Sequence, residues 1–210
     1  MKWKILTAVC LAAACSAQTR YEIGGAIGYG IYRSVRINSP NGEATVGVQN
    51  RFAAGGVFCE DLYEHFSGEV RYTYQDGDPF LSFGGRRGNI QGQSHALNYN
   101  VLFHAFPREA RFRPYAAAGV GAKEYRTTGP EPVPQPAPQI ADIVKQSQWR
   151  WLVTVGGGVK YRVAEHVIIR GDFLDYITPF PTKLFVPTTN GTDRGIFHQF
   201  TPMFGLSYSF

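Results

Sequence analysis

The sequence predicts an all-β protein, an eight-stranded antiparallel up-and-down transmembrane β-barrel. Three observations favour this fold class: long segments alternate apolar with polar residues, short and long connections alternate between them, and glycine and aromatic residues are abundant. Glycine makes up 24 of the 210 residues, and aromatic residues make up 14%. Beyond the N-terminus no apolar run approaches the ~18–20 residues that a membrane-spanning helix needs, which excludes a helical-bundle membrane protein.

Residues 1–17 have the features of a secretory signal peptide. A short basic segment precedes the apolar stretch Ile5–Ala14, and small residues then offer a cleavage site after Ala17. Cleavage there leaves residues 18–210 as the predicted barrel domain. An alternative stays open, because the residues before Cys15 form a degenerate lipoprotein box in which that cysteine would be acylated.

Cysteine content and charge exclude two further classes, the disulfide-stapled scaffold and the nucleic-acid-binding protein. Cys59 is the only cysteine of the predicted mature chain, so an intramolecular disulfide is not available. The whole chain has 21 basic and 16 acidic side chains, and two of the basic ones lie in the predicted signal peptide. This small basic excess is too weak to predict binding to nucleic acid.

The segment from Phe66 to Gln75 shows the strand pattern most clearly. Its even positions, such as Val70 and Tyr72, are apolar, aromatic or glycine, and its odd positions are polar or charged. A period of two over ten residues predicts a strand between two very different environments. The same pattern predicts eight strands: Tyr21–Ile31, Val46–Phe58, Phe66–Gln75, Ala96–Phe106, Tyr115–Tyr125, Trp149–Tyr161, Val167–Tyr176 and Ile196–Phe210.

Two of the predicted strands carry specific expectations about facing. In the second strand the spacing predicts that one face carries Val46, Val48, Phe52 and Phe58. In the Tyr115–Tyr125 strand, alanine and glycine are so frequent that the facing stays open.

The connections between the predicted strands alternate in length. The short ones are Glu60–Glu64, Pro107–Arg113 and Val163–His166, and the long ones are Arg33–Gly42, Asp76–Gly92, Thr127–Ser147 and Thr178–Arg194. Short periplasmic turns and long external loops are typical of barrels that cross an outer membrane. The five prolines between Pro130 and Pro138 predict an extended, mobile and solvated loop tip, with a partner-binding proline segment as the alternative.

The polarity of the two faces separates a membrane barrel from a soluble one. A sheet that spans a bilayer must close, because an open edge would leave backbone groups unpaired in lipid. Its outer wall must then be apolar, while its lumen is free to be polar, and the alternation in this chain fits that arrangement. A soluble secreted barrel has the reverse polarity and remains an alternative.

Three segments resemble a known family: Pro114–Gly121, Gly156–Tyr161, and a C-terminal strand in which Leu206, Tyr208 and Phe210 alternate with serine. Residues 18–210 resemble the eight-stranded outer membrane protein barrels of the outer membrane protein A transmembrane-domain and opacity-protein type. The resemblance implies location in the outer membrane and contact with its lipids and lipopolysaccharide. It also implies insertion by the barrel assembly machinery with periplasmic chaperones, since the last strand looks like the signal which that machinery reads. A monomer without a peptidoglycan-binding domain is expected.

Charged residues share the predicted inward face of several strands. Eight of them are expected to form a salt-bridge network in the lumen: Glu22, Glu69, Arg71, Arg150, Lys160, Arg162, Arg170 and Asp172. Buried charges need partners, because an unpaired one costs several kcal/mol. The predicted network is a plug, and a gate for ions is the alternative. Eight strands leave room only for side chains, so free diffusion of nutrients is not expected.

The sequence predicts no catalytic, cofactor-binding or metal-binding residues. His198 lies in the last strand, where a lipid A deacylase would have a histidine, but the serine expected two residues later is absent. We therefore interpret His198 as an interfacial residue. Asp76 and Asp78 offer too few carboxylates for Ca²⁺ and indicate a turn. Arg86 and Arg87 are interpreted as solvated, with contact to lipopolysaccharide phosphates as the alternative.

The predicted function is that of a non-enzymatic, integral outer-membrane barrel whose loops serve envelope integrity or surface interaction. This role follows from the resemblance, because a fold does not by itself determine a function. Two alternatives remain: a narrow channel for ions or small molecules, and a lipid A-modifying enzyme.

Overall fold

The computed structural model describes residues 20–187 and 195–210 of the chain. The predicted signal peptide, with Cys15, and part of the last long connection lie outside the described residues. In the described part there are fourteen strands: β1 (Arg20–Tyr32), β2 (Val35–Ser39), β3 (Gly42–Val48), β4 (Arg51–Asp61), β5 (Phe66–Asp76), β6 (Pro79–Phe83), β7 (Arg86–Asn89), β8 (Gly92–His104), β9 (Phe112–Thr127), β10 (Ala141–Ile143), β11 (Ser147–Arg162), β12 (Val167–Pro179), β13 (Phe185–Pro187) and β14 (Ile196–Ser209). Over the same residues, no helix is long and apolar enough to cross a membrane.

Eight of these strands close into an antiparallel barrel in the order β1, β4, β5, β8, β9, β11, β12 and β14. The last strand pairs with the first, where Ile23 lies opposite Tyr208. The fold class predicted from the sequence is therefore confirmed, and each predicted strand overlaps one strand of the barrel. An eight-stranded barrel has an interior just wide enough for side chains to fill.

The two faces of the barrel wall differ as the alternation predicts. On β5, Val70 points outward and is exposed, whereas Glu69 points into the lumen and is fully buried. On β9, whose facing the sequence leaves open, Val120 points outward and Tyr115 points inward. Because large apolar residues dominate the outer face, the wall is suited to contact with lipid.

The long connections fold into a cap over one end of the barrel. Within the cap, β2, β3, β6 and β7 form a four-stranded sheet, and β10 pairs with β13. Apolar side chains from all four connections and from the barrel ends form one core: Tyr32, Ile37, Ala44, Val46, Val48, Leu81, Ile90, Tyr125, Ala137, Ile140, Ala141, Ile143, Phe180, Leu184, Phe185 and Phe197. The sequence predicts only loops here. They form sheets because their apolar residues can bury one another, which no single loop achieves alone.

The second predicted strand begins too early. Val46 and Val48 belong to β3 in the cap, where both are buried, and the barrel strand β4 begins only at Arg51. The chain changes direction at Asn50, whose Oδ1 accepts a hydrogen bond from the backbone N of Tyr32 at 2.8 Å. The prediction that these valines share the outer face of β4 with its phenylalanines is therefore wrong, because the cap core offers them a second apolar environment.

The proline-rich segment between β9 and β10 is exposed over only half of its length. Val133 is 93% exposed, as expected for a loop tip, but Ala137 is fully buried in the cap core. The side-chain amide of Gln135 exchanges two hydrogen bonds with the backbone of Ile143, at 2.9 and 3.1 Å. The interpretation as a solvated tip is therefore wrong for the part that packs beside β10.

Candidate functional site in the barrel lumen

Four strands place charged side chains at one level of the lumen. β1, β5, β11 and β12 each turn every second residue inward, so residues two apart on one strand point to the same side. Six of the eight charged residues predicted for the network meet there, and all six are buried: Glu22, Glu69, Arg71, Lys160, Arg170 and Asp172. We call these six residues the lumen cluster.

Arg170 lies at the centre of the lumen cluster. Its Nη2 donates to Oε2 of Glu69 at 2.6 Å, its Nε to Oδ2 of Asp172 at 3.1 Å, and its Nη1 to Oε1 of Glu22 at 3.4 Å. One guanidinium thus connects carboxylates on β1, β5 and β12. Arginine is suited to this position because its planar fork presents several donors in a fixed geometry.

Two further cations balance the charge of the lumen cluster. Arg71 donates from Nε to Glu69 at 2.8 Å and from Nη2 to Asp172 at 2.7 Å. Lys160 donates from Nζ to Oε2 of Glu22 at 2.5 Å. Three cations therefore face three carboxylates, and each charge has a partner on another strand. Such pairing is needed because removing an ion from water costs several kcal/mol.

Uncharged groups that the sequence analysis did not select surround the lumen cluster. The hydroxyl of Tyr115 donates to Asp172, and Nδ2 of Asn100 donates to Oε1 of Glu69 at 3.1 Å. The Sγ of Cys59 lies 3.3 Å from Oε2 of Glu69. Each of these residues occupies an inward position of its strand, so the period of two is the sequence feature that indicates them.

Arg150 and Arg162, both predicted for the network, lie elsewhere. Arg150 is ten residues from Lys160 along β11, which is about 33 Å at ~3.3 Å per residue, and its Nη2 donates to Thr182 in the cap at 2.7 Å. Arg162 ends β11 near the short turns, where its Nη2 donates to the carbonyl oxygen of Arg108 at 2.9 Å. Their assignment to the network is wrong, because residues that share a facing on a long strand need not share a height.

A second buried cluster lies nearer the short turns. Ser67 donates from Oγ to Oδ1 of Asp61 at 2.5 Å and lies 2.9 Å from Nε2 of His104. Nη1 of Arg113 lies 3.2 Å from the other oxygen of Asp61. In nucleophilic active sites of these residue types, the histidine lies between the serine and the carboxylate. Here the serine lies between them and is fully buried, so the cluster links strands and presents no accessible nucleophile.

The structure is a closed barrel with an apolar outer wall, a charged lumen and a folded cap. The family model described as "Outer membrane protein beta-barrel domain" matches residues 5–210. The chain belongs to this family. The protein is therefore located in the outer membrane, as the sequence predicts, and the outward side chains of the barrel wall face lipid.

Solved structures of outer-membrane barrels share this fold at low sequence identity. Neisserial surface protein A is 12% identical with a TM-score of 0.51, over 91% of this chain and 97% of that one. OprG, an outer membrane protein from Pseudomonas aeruginosa, is 14% identical with a TM-score of 0.56, over 91% and 95%. The outer membrane protease OmpT from Escherichia coli is 11% identical with a TM-score of 0.51, over 91% and 96%. These likenesses show the fold alone, and no curated protein sequence matches the chain.

The C-terminal strand closes this outer-membrane barrel. Leu206 and Tyr208 face outward on β14, and Phe210 exchanges two backbone hydrogen bonds with Tyr21, at 2.9 and 3.0 Å. The outward alternation that the sequence analysis singles out is therefore present at the closing seam. That the assembly machinery reads these three residues stays a prediction.

Near the cap, the lumen contains a buried cation with no carboxylate partner among the described residues. Nζ of Lys123 donates to the hydroxyl of Tyr32 at 3.2 Å and lies 4.9 and 4.8 Å from the ring centroids of Tyr32 and Tyr125. The negative faces of aromatic rings attract such a cation. Lys123 lies on β9, the strand whose facing the sequence leaves open, which is why the sequence analysis did not select it.

His198, predicted as an interfacial residue, faces outward and has a carboxylate partner. Its Nδ1 lies 2.7 Å from Oδ2 of Asp175 on the neighbouring strand β12, and the two side chains are 32% and 14% exposed. Asp175 was not selected from the sequence. The sequence feature that singles out Asp175 is its outward position on a lipid-facing strand, where a charged side chain is destabilising unless it has a partner.

The acidic turn of the second long connection forms ion pairs with Arg51, the first residue of β4. Arg51 lies 3.1 Å from Asp76 and 2.6 Å from Asp78. Throughout residues 20–187 and 195–210, no three histidine, cysteine, aspartate or glutamate side chains are grouped to hold a metal ion. In the same connection, the guanidinium of Arg87 lies 3.9 Å above the ring of Phe80, and both Arg86 and Arg87 are exposed.

Proposed function

We propose that the protein is a non-enzymatic, monomeric outer-membrane barrel that displays its folded cap at the cell surface, for envelope integrity or for contact with a surface partner. The observation that carries this proposal is the cap core. Each long connection contributes buried apolar side chains to it, among them Ile37, Leu81, Ile140 and Phe185. Connections that share a core keep a fixed shape, and a fixed shape lowers the entropic cost of binding a partner.

The interior favours display over conduction. The cap core covers the external mouth, and the lumen cluster fills the bore beneath it. The cavity that reaches the cluster from the short-turn end, beside Glu22 and Lys160, has a volume of about 20 Å³, which is room for about one water molecule. A path for ions would require both the cap and the lumen cluster to move.

A thiol-labelling experiment tests the display of the cap. Cys59 is buried, so Val133→Cys would place an accessible thiol in the cap and Tyr63→Cys a matched one in a short turn, at positions 93% and 73% exposed. We expect a membrane-impermeant maleimide to label Val133→Cys on intact cells, and Tyr63→Cys only after the outer membrane has been opened. The reverse pattern would overturn the proposal.

Two measurements separate this function from the alternatives. In planar lipid bilayers the purified protein is expected to show no conductance steps, and the same is expected of Glu69→Gln. Steps whose size changes in Glu69→Gln would support a channel instead. Overexpression is expected to leave the mass profile of lipid A unchanged, and an altered profile would support a lipid A-modifying enzyme.

A further inference from the structure

A groove of about 600 Å³ runs along the lipid-facing wall, where β1, β14, β12 and β11 lie side by side. Gly171 and Pro202 occupy outward positions between the larger side chains of Ile27, Phe173 and Phe204. A Cβ atom on Gly171 would meet nothing closer than a methyl group of Val159 at 3.8 Å. The groove is thus a shallow depression in the wall that is open to the membrane.

Polar side chains lie on the same strands, on the cap side of this groove. Asp175 is two residues beyond Phe173, and His198 is four residues beyond Pro202, which are about 7 and 13 Å at ~3.3 Å per residue. Arg33 follows β1, and its backbone N donates to the carbonyl oxygen of His198 at 3.0 Å.

Arg33 differs from the other two polar residues because its side chain has no partner among the described residues. The Asp175 carboxylate pairs with the imidazole of His198, whereas the exposed guanidinium of Arg33 makes no hydrogen bond or ion pair within residues 20–187 and 195–210. An unpaired guanidinium beside a carboxylate–imidazole pair presents donors for an anion and acceptors for a hydroxyl or amide.

The height of these residues places them in the cap-side half of the membrane. A strand that crosses a bilayer needs about 9–11 residues. Asp175 is the ninth residue of β12 counted from Val167 at the short-turn end, and the apolar wall continues on its cap side to the exposed Ile196, opposite Pro179. Short turns mark the periplasmic end of such barrels, which assigns the groove and its polar end to the outer leaflet.

We propose that the groove and its polar end bind one molecule of lipopolysaccharide in the outer leaflet. An acyl chain lies in the groove over Gly171, a phosphate of the headgroup pairs with Arg33, and a headgroup hydroxyl or amide contacts the Asp175–His198 pair. The arginine fork matches the oxygen geometry of a phosphate. This inference rests on the orientation in the proposed function, with the cap at the cell surface, but it does not depend on any contact of the cap with a partner.

Native mass spectrometry of the folded protein in detergent micelles, titrated with purified short-chain lipopolysaccharide, tests this proposal. Gly171→Leu fills the groove, and Arg33→Gln removes the charge. Gly25→Leu is the matched control on the outer wall, since a Cβ atom there would come no closer than 3.7 Å to another residue. Arg111→Gln, at an exposed position in a short turn at the opposite end of the barrel, is the matched control for loss of one exposed charge. The faster gel mobility of the unboiled protein verifies that each variant is folded.

Each test variant is expected to raise the Kd for lipopolysaccharide about tenfold, equivalent to about 1.4 kcal/mol, while both controls bind as the parent protein does. Equal Kd values for all five proteins would overturn the proposal. So would equally tight binding of phosphatidylglycerol, which would assign the groove to any anionic phospholipid. A dimer that Gly171→Leu abolishes would assign it to a second copy of the chain. In every one of these cases the thiol-labelling result for the cap would be unaffected.

Discussion

At the scale of single residues, any change that leaves a charge of the lumen cluster without its partner destabilises the protein. Glu69 accepts hydrogen bonds from Arg71, Arg170 and Asn100, so its negative charge is distributed over several donors on three strands. Removing one partner of a buried pair costs about 3–5 kcal/mol, because the other charge stays buried without compensation. The cluster therefore makes the interior intolerant of single charge deletions.

Arg170→Met is the most informative of these deletions. It leaves three carboxylates with only two cations, so we expect the free energy of unfolding to fall by about 3–5 kcal/mol. Urea unfolding in lipid vesicles, followed by tryptophan fluorescence, measures this change. Arg86→Met, an exposed residue at a hairpin tip, is the control and is expected to stay within about 0.5 kcal/mol of the parent. An equally small effect of both variants would contradict a structural role for the cluster.

The carboxyl group of Asp142, which lies in the cap outside the membrane, makes the stability of the cap depend on pH. Burial raises the pKa of Asp142 above its usual value, and the negative charge of Glu131 raises that pKa further. Because the folded state then holds its proton more tightly than the unfolded state, the carboxyl destabilises the cap once it ionises. Stability of the cap is expected to fall as the pH rises through this pKa.

Asp142→Asn removes this penalty. We expect hydrogen-exchange protection of the cap amides to increase at about pH 7 and to match the parent at about pH 3, where Asp142 is neutral in both states. Glu43→Gln, at an exposed cap position paired with Arg36, is a control for the loss of one acidic charge. An increase that is the same at both pH values would show that the carboxyl charge is not its cause.

At the scale of elements, β8 and β9 approach each other closely. A Cβ atom on Gly121 would overlap the carbonyl oxygen of Leu97 and would lie 2.6 Å from the Cα of Asn98. A side chain at this position therefore requires the two strand backbones to separate. The glycine richness of the strand follows from this packing.

Gly121→Ala is expected to reduce barrel closure severely, because the methyl group meets backbone and not a movable side chain. Gel mobility before and after boiling measures the folded fraction: closed barrels migrate faster until heated. Gly171→Ala is the matched control, since its Cβ atom meets only an ordinary contact at 3.8 Å. Normal closure in Gly121→Ala would mean that the two strands separate at little cost.

At the scale of the whole molecule, the protein has two interiors of opposite chemistry. The lumen is filled by ion pairs and amides, whereas the cap has a hydrophobic core of its own. The barrel is held by a continuous ring of strand pairs that does not pass through the cap. The cap and the barrel are therefore expected to lose structure separately.

Leu81→Ala tests this separation, since Leu81 is fully buried in the cap core. Deletion of a buried leucine side chain costs about 2–5 kcal/mol, and we expect a protease added to intact cells to cleave the cap while the heat-dependent gel shift is retained. Val133→Ala, at the exposed tip, is expected to leave the cap resistant. Loss of the gel shift in Leu81→Ala would show that the barrel depends on the cap.

The sequence determined the barrel and, on every strand except β9, which way the side chains point. Alternation with a period of two is a local property of each strand, so Glu69 and Arg170 could be assigned to the lumen without knowledge of their partners. The tertiary structure alone decided which inward residues share a height, because height depends on the register and tilt of all eight strands. This is why Arg150 and Arg162 lie apart from the lumen cluster.

The cap was also decided only by the tertiary structure. Val46, Val48 and Ala137 are apolar residues in segments with turn residues, and nothing local separates an apolar residue of a barrel wall from one of a core shared by distant loops. The burial that gives these residues their structure exists only when all four connections meet. The sequence by itself therefore determined which way the side chains of the barrel strands other than β9 point, and the assembled molecule decided the structure of each loop.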